Sequence, residues 1–157
     1  MSLTIRSQAF TEGHAIPRRY TGDGEDLSPA LTWTALPAGT KELAMIVDDP
    51  DAPVAEPWVH WVIYKIAATL EGLPEGIPQT GSPNEPKGVR QGKNTWGTLG
   101  YRGPLPPTGH GTHHYHFKLY ALKTALDLAP GLDKHELLNA ISGHVLGQGE
   151  LVGTYQR

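Results

Sequence analysis

The chain has 157 residues, no cysteine, a net charge of −3 and only 18% charged residues. A chain of this length buries about two-thirds of the surface its unfolded form exposes, so it needs no disulfide framework, and thiolate metal sites and cysteine nucleophiles are excluded. The weak negative charge speaks against nucleic acid as a partner, and no apolar run approaches the roughly 20 residues of a membrane span. Glycine (19) and proline (14) are abundant, which predicts many turns and little long helix. Met1 to Gly13 carries neither a basic nor an apolar leader segment, so the expected location is cytoplasmic.

Short β-type runs come first. Leu3 to Ser7 alternates apolar and polar residues, and Ala30 to Trp33 follows a turn-rich stretch that ends at Ser28-Pro29. Leu43 to Val47 is apolar throughout and too short for a helix, as expected of a strand buried on both faces; Asp48-Asp-Pro-Asp-Ala-Pro53 stops it abruptly. Trp58 to Ile66 is rich in β-branched and aromatic residues, and simple alternation would put Trp58, His60, Val62 and Tyr64 on one face. From Glu71 to Pro107 proline and glycine are so dense that a long irregular connection is expected, and such loops are usually functional. His113 to Leu122 resumes the strand pattern, with His113, Tyr115, Phe117 and Leu119 on one face and His114, His116, Lys118 and Tyr120 on the other. Asp133 with Glu136 three residues later forms a capping box. Leu137, Leu138, Ile141, Val145 and Leu146 follow at helical spacing, which predicts a helix ended by Gly147-Gln-Gly149 and a short apolar tail from Leu151 to Tyr155. No repeat or linker divides the chain, so one domain over 1–157 is expected.

Two clusters could carry chemistry: Asp48, Asp49 and Asp51 broken by prolines, and His60, His110, His113, His114 and His116. Aspartates at the end of a buried strand can orient imidazoles or accept ligand hydroxyls, although Asp and Pro also build ordinary turns. His114 and His116 share a face, but a stable zinc site takes three or four ligands, so no metal and no cofactor are expected. There is no nucleophile elbow, P-loop, dinucleotide-binding glycine motif or His-Glu-x-x-His.

Taken in order, Ser28-Pro-Ala-Leu-Thr-Trp33, Asp49-Pro-Asp-Ala-Pro53, Trp58-Val-His-Trp61, Gly100-Tyr-Arg-Gly-Pro-Leu-Pro-Pro107 and His113-His-Tyr115 resemble the phosphatidylethanolamine-binding protein family. The likeness is to its prokaryotic, Raf kinase inhibitor-like branch, and it runs from Phe10 to Tyr155. The resemblance implies a mainly β fold: an antiparallel sandwich with a few short helices, one of them near the C-terminus, and a small anion pocket at one end. Carried over position by position, the ligand-binding set is Asp49, Asp51, Pro53, His60, Gly103, Pro106, His113 and Tyr115. Imidazoles, a phenol and the N–H groups of a glycine-containing loop can donate to phosphate oxygens, with a carboxylate holding an imidazole in its donor tautomer. This chain departs from the family pattern at His114, where arginine is usual, and at Leu105, where cysteine is common. An X-Pro bond costs only about 0.5–1 kcal/mol in the cis form, and the sharp reversal after Asp49, which relatives make with cis bonds, predicts them at Ala52–Pro53 and Glu56–Pro57.

The implied function is non-enzymatic binding of a phosphate-type headgroup or of a phosphorylated residue on a partner, with regulation of a kinase or other signalling partner as its reach. The alternative is a hydrolase that uses an Asp/His pair in the same pocket. Expected partners are a small anionic ligand, a protein, and a second copy of the chain in a homodimer.

Overall fold

The structure is a computed structural model that describes residues 3–157. Its elements in chain order are β1 (Thr4–Ser7), β2 (Leu31–Thr34), β3 (Glu42–Asp49), β4 (Trp58–Ala67), β5 (Gly72–Leu73), β6 (Arg90–Gln91), β7 (His113–Leu122), α1 (Lys134–Ile141) and β8 (Val145–Tyr155). A small sheet has the order β1-β2-β5 and a large one the order β6-β4-β3-β7-β8. Neighbouring strands in both are antiparallel.

The sheets face each other across the main core. Ile5, Leu31 and Trp33 of the small sheet meet Met45, Val47, Trp61, Ile63, Phe117 and Leu119 of the large one. The other face of the large sheet, with Ala44, Ile46, Val62 and Tyr64, is covered by Leu137 and Ile141 of α1. Every residue of β3 is buried because both its faces are covered, which is why its sequence is apolar without alternation. This is the expected sandwich with one helix near the C-terminus.

Two expectations are corrected. The cis bond among the described residues is Glu85–Pro86, so the bonds at Ala52–Pro53 and Glu56–Pro57 are trans. The chain turns back between β3 and β4 through a run of turns and bends over 50–57, including a Val54 N–H to Ala52 carbonyl bond of 2.7 Å, and this suffices for the reversal. The capping box is present as read, with Asp133 accepting from Glu136 N–H, but α1 stops at Ile141. Gly143 takes φ +82°, a left-handed conformation that ends the helix. Val145 and Leu146 then enter β8, and Gly147 and Gly149, expected to lie beyond the helix end, are strand residues paired with Ala121 and Leu119.

A third difference concerns β4. Val47 pairs with Trp61 but Asp48 pairs with Val59, so His60 is the extra residue of a bulge. The bulge breaks the alternation: Val62 and Tyr64 face the helix layer, whereas His60 turns to the opposite side and packs edge-on against Tyr115.

Candidate functional site

In the order β4-β3-β7, β3 ends where its two antiparallel neighbours begin. Asp49, His60 and His113, far apart in sequence, therefore meet at one end of the large sheet. There they line a cavity of about 260 Å³ together with Pro53, Pro106 and Tyr115. Asp49, His60, His113 and Tyr115 are all buried.

Asp49 is fully engaged. Its Oδ2 accepts from His113 Nδ1 at 2.6 Å and its Oδ1 accepts the Asp51 N–H at 2.8 Å. A carboxylate only accepts, so the proton lies on Nδ1 of His113 and Nε2 is left for another partner. That partner is His110, whose Nδ1 lies 2.7 Å from His113 Nε2.

His60 differs in kind from His113. Its Nδ1 donates to the Arg102 carbonyl at 2.6 Å. Burial drives the ring towards its neutral form, and although that carbonyl and Asp49 work the other way, the pKa is lowered to about 4. At neutral pH the second nitrogen of His60 is therefore an acceptor, not the donor that the sequence reading expected. Burial, with Asp49 and Asp51 adding to it, raises the Tyr115 phenol well above its ordinary range, so it stays protonated and can donate.

Two of the expected residues stand behind the cavity rather than in its lining. Asp51 is partly exposed, and its Oδ2 accepts from the backbone N–H and from Nδ1 of His114, at 2.8 and 2.7 Å. Burial pushes its carboxyl up, but these bonds outweigh it and hold the pKa below the usual value. The histidine found where the family has arginine thus pins the turn after β3 to β7. Gly103 directs its N–H to Asp26 Oδ1 at 2.7 Å, and a Cβ there would lie 2.1 Å from the Tyr20 carbonyl oxygen. Its lack of a side chain lets the loop close over Tyr20 while Arg102 reaches His60.

Asp48, which sequence grouped with Asp49, points to the other face and is flanked by Lys134 at 2.8 Å and Lys118 at 3.3 Å. Ala52, Val54, Trp58, Trp96, Leu105 and Pro107 complete the lining without having been expected there. Trp96 packs edge-on against both His60 and Trp58, with the Arg102 guanidinium 4.9 Å from its ring centre. Its loop is fixed beside β4 by reciprocal bonds: Val59 N–H to Thr95 Oγ1 (2.7 Å) and Thr95 N–H to the Val59 carbonyl (2.9 Å). An isolated tryptophan in a glycine-rich loop was the available signal. Beyond Trp58 lies a larger groove of about 540 Å³. Two of its polar side chains are already paired, Lys134 with Asp48 and His135 with Glu56, and it is the weaker candidate. Among the described residues no group of three or more His, Cys, Asp or Glu is placed to hold a metal ion.

The class so defined is a two-sheet β protein with a small, histidine-lined pocket at one end of the larger sheet. The sequence profile of the family described as phosphatidylethanolamine-binding protein matches residues 6–156, and the chain belongs to that family. It is 50% identical over 155 residues to a UPF0098 protein of Methanothermobacter thermautotrophicus, covering 99% of each chain. It is 42% identical over 154 residues, 98% of this chain and 72% of the other, to LppC of Mycobacterium tuberculosis, which is named a lipoprotein. Among solved structures, Escherichia coli YbcL, described as a new member of the mammalian family, superposes with a TM-score of 0.92 at 31% identity, over 100% of this chain and 99% of the other. Among the described residues no helix is long and apolar enough to cross a membrane.

Proposed function

We propose that the chain is a binding protein whose end pocket takes a phosphoryl-type group, carried by a small ligand or by a phosphorylated side chain of a partner, and does not turn it over. The observation that carries this reading is the composition of the cavity wall. It combines an oriented imidazole, a second imidazole and a phenol with apolar side chains, and it has no serine, threonine, cysteine or lysine to act as a nucleophile. Ser28, the serine of the first motif, is buried and accepts the Ile77 N–H, a structural role. A base alone contributes roughly 10²- to 10⁴-fold, well short of an enzyme's acceleration, which favours binding over hydrolysis.

Regulation of a kinase or another signalling protein would follow if the phosphoryl group belongs to a partner. A cytoplasmic location goes with that reading. The relative named a lipoprotein makes membrane attachment the contrasting one. The test is an NMR titration of the full chain with phenyl phosphate and with phosphoethanolamine, following the ring signals of His60 and His113, beside an assay of phosphate and carboxylate ester hydrolysis with and without divalent metal. Saturable shifts at both rings without product are expected. Turnover that is lost in His113→Ala would replace this reading with the hydrolase.

A further inference from the structure

We propose that the pocket selects the singly protonated form of a phosphoryl group, a hydrogen-phosphate or hydrogen-phosphonate monoester whose P–O–H donates to Nε2 of His60. The proposal rests on the phosphoryl reading above and sharpens it. Its geometry begins with the Arg102 carbonyl, which can only accept and so fixes the His60 proton on Nδ1 at 2.6 Å. The remaining nitrogen then presents a lone pair. A dianion would set an oxygen lone pair against it, whereas a P–O–H supplies the missing donor.

The charged and titratable groups around the ring come from three elements: Asp48 and Asp49 of β3, Tyr115 and His113 of β7, and Arg102 of the loop packed across it. The aspartates favour a charged ring, and burial overrides them, so His60 remains an acceptor from about pH 5 upwards.

The wall itself is an independent observation. It carries one carboxylate, Asp49, and neither lysine nor arginine, so no permanently cationic side chain in it compensates a second negative charge. A donor for a remaining oxygen of a monoanion is the Tyr115 O–H, which burial keeps protonated. Trp58, Trp96, Val54 and Leu105 supply apolar surface for the arm of the ester. The ligand class is therefore a phosphoryl monoester with an apolar or aromatic arm, bound with one acidic proton in place.

The test compares benzylphosphonate, its α,α-difluoro analogue, whose second ionisation lies at lower pH, and phenyl sulfate, which has one charge and no O–H. Binding to the full chain is measured calorimetrically from about pH 5 to about pH 8, a range that spans the second ionisation of phosphoryl groups. Affinity for each phosphonate is expected to fall about tenfold per pH unit above that ligand's own second pKa, so that the two curves are displaced from each other. Phenyl sulfate is expected to bind at least about tenfold more weakly than benzylphosphonate at the acid end, the loss of one hydrogen bond to a charged group. Curves that coincide for the two phosphonates, affinity independent of pH, or sulfate binding as tight as phosphonate would overturn the proposal while leaving the phosphoryl reading intact. Absence of binding by either phosphonate and by phenyl phosphate at every pH would remove both. His60→Gln, whose amide can donate, is expected to flatten the pH dependence. The ligand series decides the matter without that variant if it does not fold.

Discussion

Asp49 and His113 stand 64 residues apart in the chain and meet at 2.6 Å, both buried. The contact joins the end of β3 to the start of β7 and sets which ring nitrogen of His113 faces the cavity. It is at once a tether between strands and the element that prepares the site.

Asp49→Asn should expose both roles. An amide has one accepting oxygen where the carboxylate has two, so either the His113 N–H or the Asp51 N–H loses its partner. Stability in urea unfolding is expected to fall by about 1–3 kcal/mol, the cost of an unsatisfied buried polar group. Affinity for phenyl phosphate should fall at least tenfold. Unchanged affinity in the folded variant would confine the pair to a structural role.

His110 makes the opposite prediction. It is exposed, and its bond to His113 Nε2 has to break before a ligand can use that atom. With a hydrogen bond worth about 1 kcal/mol, His110→Ala should bind phenyl phosphate about three- to tenfold more tightly with little change in stability. Weaker binding would mean that His110 itself holds the ligand.

The neutrality of His60 has a signature in acid. The ring titrates near 4 in the folded chain and near 6.5 unfolded, so between these values the unfolded state binds more protons and stability rises with pH. From neutrality down through pH 4 the loss from this group is on the order of 3 kcal/mol. Urea midpoints measured at about pH 7 and at about pH 4.5 should differ less in His60→Asn than in the parent chain. An equal pH dependence in the two would show that His60 is charged when folded.

Gly103→Ala tests the loop. The added methyl meets the Tyr20 carbonyl at 2.1 Å, and relief would shift Arg102, whose carbonyl holds His60. A loss of about 1–3 kcal/mol, as for other overpacked sites, is expected together with a displaced His60 ring signal in NMR. A neutral substitution would mean that the loop is free to move and that His60 is held by burial alone.

Much of this arrangement could be read from residue patterns. The apolar run in β3, the alternation in β7 and the capping box of α1 each obey a local rule, and each element is present. What sequence misread depended on single-residue events with no local signature. The bulge at His60 turned that side chain to the opposite face from Val62 and Tyr64, which periodicity had grouped with it. Gly143 broke a helical spacing that continued into Val145 and Leu146. The neutral state of His60 and the capping of His113 by His110 depend on loop atoms whose path no short-range pattern encodes. Trp96 enters the cavity wall for the same reason.

The adjacent carboxylates at the end of β3 serve different layers, Asp48 the lysines beside α1 and Asp49 the pocket. Inserting or deleting one residue within β3 would exchange them, placing the helix partner in the cavity and the pocket partner among lysines. The segment 50–57, in contrast, contributes Ala52, Pro53 and Val54 to the cavity through turns outside the strand ladders, tied to β7 through Asp51. Beyond Asp51 length can vary without disturbing that order. The fold thus separates a chemical floor held by strand register from an adjustable roof, and the shape of the cavity mouth can change by remodelling the roof alone.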